Sequence, residues 1–398
     1  MEKDRFSPTF KNPSLQVIFG TTFMSIMGIS LIAPTLSAMA SELHIPKESI
    51  GLVITSFTVP GILLAFIIGM LADRYGRKQI LAPSLTLFGI AGAACFFAKN
   101  IEMLLLLRIL QGVGASGLVL LSTVLIGDIF HGIDRATAMG ENASVLSIGS
   151  SISPLIGGAF ASISWNYPFL LFMLAIPLSI AVLFMESPPV KTETRMSKYV
   201  RDIWSFARQP RPVIVFFAGA LTFILLYGGI FTYFGVLLSD RFNASPAVIG
   251  GYFSIMSITA AIASSQNGKL QTRFTKSGIV LAGFSLYALA LFLIPFMGSL
   301  PMLVLPLLLF GLGHGLNMPS LQVITTELAP AQYRGALVSM FGVTMKVGQS
   351  IGPPLLGIML AVSNLHTLFI AAGVLTITAS VSGFALTRFL ERPATENA

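Results

Sequence analysis

Long apolar runs alternate with short polar breaks along almost the whole chain of 398 residues. A membrane-spanning helix needs about 20 mostly apolar residues to cross about 30 Å of hydrocarbon, and each run is long enough. Internal Pro and Gly do not argue against such helices, because neighbouring helices satisfy the freed backbone groups. The pattern predicts an all-α polytopic membrane protein with twelve transmembrane helices, at about residues 15–36, 49–70, 79–98, 103–126, 137–161, 165–185, 212–238, 247–266, 278–297, 301–325, 336–361 and 366–388.

The two halves of the chain repeat each other. A shift of 199 residues superposes Gly, Pro and charged positions that random apolar sequence would not match together. The coinciding pairs include Gly112 with Gly311, Gly114 with Gly313, Asp128 with Glu327, Arg135 with Arg334, and Pro154 with Pro353. The repeat predicts a six-helix bundle over residues 1–185, a central cytoplasmic loop over 186–211 and a second six-helix bundle over 212–398. Parallel repeats of this kind are typical of secondary transporters.

Composition and charge support the membrane interpretation. Only 10% of the residues are charged, whereas soluble proteins carry about 25%. A net charge of +8 does not indicate nucleic acid here, because the basic residues lie in short loops between apolar runs. The predicted outer loops contain only Lys47, Lys99 and Arg241, the helices contain Arg108 and Lys346, and all the others fall in inner loops and tails. This bias predicts that both termini are cytoplasmic.

The sequence shows no pattern for enzymatic chemistry. The single cysteine, Cys95, lies in an apolar run, and the four histidines have no metal-ligand spacing. A phosphate-binding loop for ATP is absent, as is any Ser–His–Asp set. We therefore expect no cofactor, no metal site and no nucleic-acid partner, and a protein that acts as a monomer in the lipid bilayer.

The break between the second and third predicted helices reads Gly69-Met-Leu-Ala-Asp73-Arg74-Tyr-Gly76-Arg77-Lys78. A connection this short must turn sharply, and its glycines permit the turn. Asp73 has three basic neighbours and can hold them in an ion-pair network. The segment closely resembles the corresponding loop of the major facilitator superfamily of transporters, G-x-L-A-D-R-x-G-R-K. The resemblance implies a gating loop formed by Gly69, Asp73, Arg74, Gly76, Arg77 and Lys78.

The second copy of this loop is degenerate. Thr272 stands at the position of Asp73, and Thr275 stands at that of Gly76. The sequence therefore predicts that the ion-pair network differs between the halves.

Arg108 lies inside the fourth predicted helix, where a guanidinium is expensive unless it faces a cavity or a partner. Its surroundings, Arg108-Ile-Leu-Gln111-Gly112-Val-Gly114, resemble the family motif R-x-x-Q-G-x-G, whose arginine is linked to proton coupling. The alternative is an arginine that extends to the outer surface.

In the fifth helix, Gly149, Ser153, Pro154, Gly157 and Gly158 resemble the motif G-x-x-x-G-P-x-x-G-G of drug–proton antiporters. Ser153 departs from the motif, which has Gly there. The alternative is close packing of small residues without any bearing on the direction of transport.

Proton coupling needs a titratable group, and the first half offers Asp128 and Glu141 within or beside its helices. Asp128 is expected at the end of the fourth helix near Arg77, so a loop-facing role is the alternative to proton coupling. Glu141 is the better proton carrier, because it lies about one turn inside the fifth helix.

His314 and Lys346 are candidate cavity residues of the second half. Lys346 lies near the middle of the eleventh helix, on the face opposite to Gly348 and Gly352. If the glycine face packs on a neighbouring helix, the lysine points away from it, toward an anionic group of a substrate or a proton pathway. The alternatives are a packing histidine and a lysine paired with a carboxylate.

These features predict a secondary transporter that exports small amphipathic compounds or drugs by alternating access in exchange for protons. It resembles the twelve-helix drug–proton antiporters of the major facilitator superfamily over nearly its whole length. Two alternatives remain: a proton-coupled uptake symporter for a sugar or an organic acid, and a membrane sensor that has lost transport.

Overall fold

The computed structural model describes residues 12–185, 207–328 and 334–391. Within these ranges the chain forms twelve helical segments and no strand. They are α1 (Pro13–Glu42), α2 (Leu52–Tyr75), α3 (Arg77–Phe97), α4 (Ile101–Ile129), α5 (Gly132–Ala161), α6 (Tyr167–Leu183), α7 (Pro210–Phe242), α8 (Pro246–Gln271), α9 (Lys276–Phe296), α10 (Pro301–Leu328), α11 (Arg334–Ala361) and α12 (Leu365–Glu391).

The surface of these helices is suited to lipid rather than water. Large apolar side chains are widely exposed, among them Leu63 at 67% and Ile358 at 69% of their full area. In hydrocarbon every backbone polar group must be satisfied within the protein, which a helix achieves by itself. The prediction of a twelve-helix polytopic membrane protein is confirmed.

Ten of the described helices are long and apolar enough to span a membrane by themselves. The segment Tyr167–Leu183 is apolar but shorter. Helix α11 has 28 residues, yet it is not among the ten. Its polar residues include Lys346, Gln349 and Ser350, so its low apolar content sets it apart from its neighbours.

Short side chains cap several helices. Asn12 accepts hydrogen bonds from the amides of Ser14 (2.9 Å) and Leu15 (3.3 Å) at the beginning of α1. Asn100 does the same for α4, accepting from the amide of Met103 at 2.9 Å. Such caps satisfy the first amides of a helix, which have no partner inside it.

Several helices depart from regular α geometry. In α1 a 3₁₀ turn over Ala33–Thr35 contains Pro34, which cannot donate a backbone hydrogen bond. In α7 the segment Leu225–Phe234 is a π-helix of ten residues. Wide turns of this kind are rare and occur frequently at functional sites.

The helices pack as two compact units. The first contains α1 to α6 together with Ser245–Gly251, which includes the beginning of α8. The second contains α7, the rest of α8, α9 to α12 and Lys47–Gly51. Aromatic side chains fill the centre of each. In the first, the Phe88 and Phe172 ring centroids lie 5.2 Å apart, and in the second the Tyr287 and Phe310 centroids lie 4.3 Å apart. Most of the predicted central loop, 186–211, lies outside the described residues.

Candidate functional site

The predicted gating loop turns at a single residue, Gly76. Its φ of +106° belongs to the region that residues with a side chain rarely adopt. Its amide donates to the carbonyl of Ala72 at 3.1 Å, so α2 closes before α3 begins at Arg77. Gly69 lies inside α2, and a methyl group there would find its nearest neighbour, Leu120, at 3.6 Å. The expectation that both glycines serve the turn is therefore correct for Gly76 alone.

Arg77 is the centre of the ion-pair network in this loop. Its guanidinium pairs with Asp73 one turn earlier in the chain, and its Nε lies 3.3 Å from Oδ2 of Asp128 at the end of α4. The Arg77 side chain is 15% exposed, whereas that of Asp73 is 52% exposed. One half-buried arginine therefore joins the α2–α3 turn to α4. Asp128 belongs to this network, as its loop-facing alternative predicts.

The other two basic residues of the loop have different surroundings. The ammonium group of Lys78 donates to the carbonyls of Leu183 (3.4 Å) and Met185 (3.3 Å), at the end of α6. A cation at the carboxyl end of a helix is favoured by the helix dipole. Arg74 is exposed, and its guanidinium carbon lies 5.4 Å from the ring centroid of Tyr75. The loop thus contacts α6 through Lys78 as well as α4 through Arg77.

The second unit keeps part of this network. Lys276 pairs with Glu327, and the two are the repeat counterparts of Arg77 and Asp128. Thr272, the counterpart of Asp73, donates to the carbonyl of Lys269 instead. The halves therefore share the ion pair between the turn and the following helix, and differ in the additional carboxylate.

Arg108 is fully buried in the first unit, at 0% exposure. Its NH2 group donates to the carbonyl of Gly28 at 2.9 Å and its Nε to the carbonyl of Val53 at 3.2 Å, while NH1 donates to Oε1 of Gln111 at 2.8 Å. The guanidinium also lies 4.3 Å above the ring centroid of Phe57. The side chain does not extend to a helix end, so the outer-surface alternative does not describe it.

The charge of Arg108 is balanced by dipoles rather than by an anion. Among the described residues no carboxylate lies within ion-pair distance of it. Next to it, Nε2 of the fully buried Gln111 has no hydrogen-bond partner. A buried charge and an unsatisfied buried amide are both costly, and such groups cluster at functional sites.

The small residues of the α5 motif are packing positions. A methyl group on Gly157 would collide with the carbonyl of Leu31, and one on Gly149 would lie 2.7 Å from the Ile26 side chain, both in α1. Gly158 lies against Pro246, in the short segment that packs with this unit. Ser153 is fully buried, and its hydroxyl has no hydrogen-bond partner. Pro154 lies within the helix, which continues through it.

Glu141 is partly buried in α5, one residue before the buried Asn142. It is not among the hydrogen-bond partners of Arg108. Arg108 and Glu141, two of the three residues to which the sequence assigns proton coupling, are therefore not hydrogen-bonded to each other.

His314 belongs to a polar cluster in the second unit that also contains Thr222, Tyr287 and Asn317. The Tyr287 hydroxyl and Nδ1 of His314 are 2.9 Å apart. The side chains of Asn317 and Thr222 also lie close to that hydroxyl. Asn317 is fully buried, and neither of its amide atoms makes a hydrogen bond.

An aromatic surface from α7 adjoins this cluster. Phe223 stacks on Tyr227, with centroids 5.7 Å apart, and its ring meets that of His314 edge-on at 6.3 Å. The Tyr227 hydroxyl contacts the side chain of Gln349 in α11. Lys346 is partly buried on the same helix, less than one turn away.

The glycine face of α11 packs as its spacing predicts. A methyl group on Gly348 would collide with the carbonyl of Ala220, and one on Gly352 would lie 2.8 Å from Ile224. Both neighbours belong to α7, so this face of α11 lies against that helix.

A comparison with known protein families identifies the fold. The model of the Major Facilitator Superfamily matches residues 18–242 and 234–398. This chain belongs to the Major Facilitator Superfamily. It is a multi-pass membrane transport protein and not an enzyme.

Several members of the superfamily are similar to this chain over most of its length. The bacillibactin exporter of Bacillus subtilis is 28% identical, over 85% of this chain and 87% of its own. Multidrug resistance protein 2 of the same organism is 26% identical, over 91% and 92%. The class C tetracycline resistance protein of Escherichia coli is 26% identical, over 86% and 88%.

Solved structures show the same superfamily fold at lower identity. A bacterial homologue of the lysosomal transporter Spinster, in its inward-facing unoccupied conformation, superposes with a TM-score of 0.83. It is 17% identical, over 98% of this chain and 99% of its own. The nucleoside transporter NupG superposes with a TM-score of 0.76 at 16% identity, over 94% and 99%.

Sequence reasoning about this superfamily member missed Asn317, Tyr287 and Tyr227. Their spacing follows no motif, and a Tyr or Asn inside an apolar run gives no sign of its partner on another helix. Gln111 carried a stronger signal, because it stands one turn after an arginine that lies inside an apolar run.

Proposed function

We propose that this protein exports small amphipathic compounds from the cell in exchange for protons. It lies in the cell membrane with both termini in the cytoplasm and works by alternating access. The observation that carries the proposal is the similarity, over at least 85% of the chain, to proteins named as a bacillibactin exporter, a multidrug resistance protein and a tetracycline resistance protein. The basic inner loops support the orientation.

Arg108 supports the coupling to protons. This guanidinium is held by carbonyls and an amide, and no carboxylate of the described residues lies within ion-pair distance of it, so it favours an anion or an ionised acid that approaches it. Glu141, on the neighbouring helix in sequence, is the acid of the first half that we assign to proton uptake and release. In this proposal the two groups act at different stages of the cycle.

Everted membrane vesicles test the direction and the coupling together. With a lumen acidified by respiration, addition of a transported compound should release protons from the lumen, measured as recovery of acridine dye fluorescence. A symporter would acidify the lumen further, and a sensor would change nothing. Either of these results would refute the proposal.

The role of Arg108 is tested with Arg108→Lys and Arg108→Gln. Lysine keeps the charge, but it cannot donate to the carbonyls of Gly28 and Val53 and to Gln111 in the same geometry. Both variants should lose proton-driven transport, while binding of a compound to purified protein persists. Lys99→Gln, which removes an exposed cation, is the control. Uphill transport at the parental rate in Arg108→Gln would exclude the assignment.

The chemistry near Lys346 narrows the class of substrate. A lysine less than one turn from Gln349, whose side chain contacts the aromatic Tyr227, suits compounds that combine a ring with a carboxylate, phenolate or phosphate group. Lys346→Met keeps the length and removes the charge, so transport of anionic compounds should fall selectively. The control is Lys269→Met at an exposed position. If the variant transports anionic, neutral and cationic compounds each at the parental rate, Lys346 does not contact the substrate.

A further inference from the structure

The second unit contains an apolar cavity that the proposed transport cycle does not use. It is a cleft among α7, α9, α10 and α12 that holds about 620 Å³, a figure that includes the space open to its surroundings. Its lining includes Phe217, Ala218, Phe284, Leu321 and Ser380. The side chain of Phe217 is 57% exposed on the lipid-facing surface, so the cavity is reached from the bilayer.

One polar group in this lining has no partner. The Ser380 side chain is 91% buried, since its exposure is 9%, and its hydroxyl makes no hydrogen bond. In hydrocarbon such a hydroxyl costs free energy unless a polar atom reaches it. A ligand with an ester or hydroxyl oxygen beside its apolar part would satisfy it.

The end of the cavity near the beginnings of α7 and α9 is basic. Ile214 and Ser277 line it there. Arg211 lies one turn before Ile214, Lys276 directly precedes Ser277, and Arg273 lies four residues before Ser277. Glu327 is an acid at this end and pairs with Lys276. The amino ends of two helices add positive potential, which favours a phosphate.

We propose that this cavity binds an anionic phospholipid of the surrounding bilayer. One acyl chain fills the space between Phe217 and Phe284, an ester oxygen accepts from the Ser380 hydroxyl, and the phosphate lies between Arg211 and Arg273. Basic pockets between transmembrane helices recognise anionic headgroups in this way. The basic residues bind the headgroup, and the apolar part of the cavity binds the acyl chain of the same lipid. The lipid is a structural ligand of the second unit, distinct from any transported compound.

Fluorescence quenching by brominated lipids tests the proposal in reconstituted full-length protein. Phe217→Trp places a reporter at the cavity, and Ile90→Trp, at an equally exposed site on α3, is the control. Both are made with Trp165 and Trp204 replaced by Phe. Brominated phosphatidylglycerol should quench the reporter at position 217 at several-fold lower mole fraction than brominated phosphatidylcholine, and the two lipids should quench equally at position 90.

Charge and space are then removed separately. Arg211→Gln should lower the preference for phosphatidylglycerol at position 217 about fivefold, the effect of one basic residue near a membrane surface. Ala218→Leu should lower quenching by both lipids, because it fills the cavity. Equal quenching by the two lipids at position 217 would overturn the proposal. So would a preference that survives Arg211→Gln combined with Arg273→Gln, or displacement of the lipid by a transported compound.

Discussion

At the scale of single residues, the first unit contains two arginines whose charges are balanced by different kinds of partner. Arg77 and Arg108 are both arginines at helix contacts, but Arg77 meets two carboxylates and Arg108 meets carbonyl oxygens and an amide. The ion pairs of Arg77 with Asp73 and Asp128 are partly exposed, so they contribute little to stability and can break and re-form. The contacts of Arg108 are fully buried, so their loss is costly.

We expect Asp73→Asn to slow transport about tenfold, the size of a coupling free energy between 1 and 2 kcal/mol. Expression and thermal unfolding should stay near those of the parent, because the Asp73 side chain is 52% exposed and a pair of this kind contributes at most about 1 kcal/mol. Transport is measured in proteoliposomes.

The matched control is Thr272→Asn, at the repeat position that carries no carboxylate. It should transport at the parental rate. If Asp73→Asn does so too, the pair with Arg77 has no part in gating.

Ser153→Ala should stabilise the protein by about 1 kcal/mol, because it removes a buried hydroxyl that has no partner. The measurement is thermal unfolding in detergent. Ser151→Ala is the control, since the Ser151 hydroxyl donates to the carbonyl of Ser147 at 2.8 Å and its removal should bring no gain. If Ser153→Ala is less stable than the parent, a water or ligand forms a hydrogen bond with the Ser153 hydroxyl.

At the scale of helices, glycine contacts set the spacing within each unit. A methyl group on Gly112 would collide with the carbonyl of Phe57, and one on Gly311 would lie 2.5 Å from that of Met256. These glycines and their partners are related by the same 199-residue shift, so α2 meets α4 as α8 meets α10. Close backbone approach of this kind is how membrane helices gain packing energy.

Gly112→Ala should lower the free energy of unfolding by about 1–3 kcal/mol, the usual cost of overpacking. Gly69→Ala should leave it unchanged or raise it by up to about 1 kcal/mol, because its site has room and alanine favours a helix. Thermal unfolding of both variants in the same detergent provides the comparison. A more stable Gly112→Ala would show that α2 can move away from α4 without cost.

Residue periodicity and motif predicted the helices, the Gly76 turn and the meeting of Asp128 with Arg77. Length and apolar content determine whether a segment spans the membrane, and these are local properties of the chain. The π-helix in α7 was not predicted, because it depends on how side chains of neighbouring helices fit. The same holds for Tyr287 with His314, whose contact joins α9 to α10 across 27 positions.

At the scale of the whole molecule, the repeat conserves geometry more than residue identity. Arg77 with Asp128 and Lys276 with Glu327 occupy equivalent places with different side chains. The first pair has an additional acid, Asp73, whereas no further acid pairs with Lys276 in the described part of the chain. The two networks should therefore respond differently when their charges are exchanged.

Lys276→Glu and Glu327→Lys should each slow transport about threefold or more, and the double variant should recover most of the rate, as expected for directly coupled residues. Exchange of Arg77 and Asp128 should not recover, because the new Asp at 77 would face Asp73. Initial rates in proteoliposomes decide. Equal recovery in both halves would contradict the asymmetry.

The polar character of α11 also has a consequence for biosynthesis. A segment enters the bilayer from the translocon according to its own apolar content, and lysine near its centre weighs heavily against entry. Because α11 is not among the helices that are apolar enough by themselves, its insertion should depend on a helix that is made before or after it. If α12 is that helix, a nascent chain that stops before α12 would leave α11 outside the membrane, exposed to quality-control proteases.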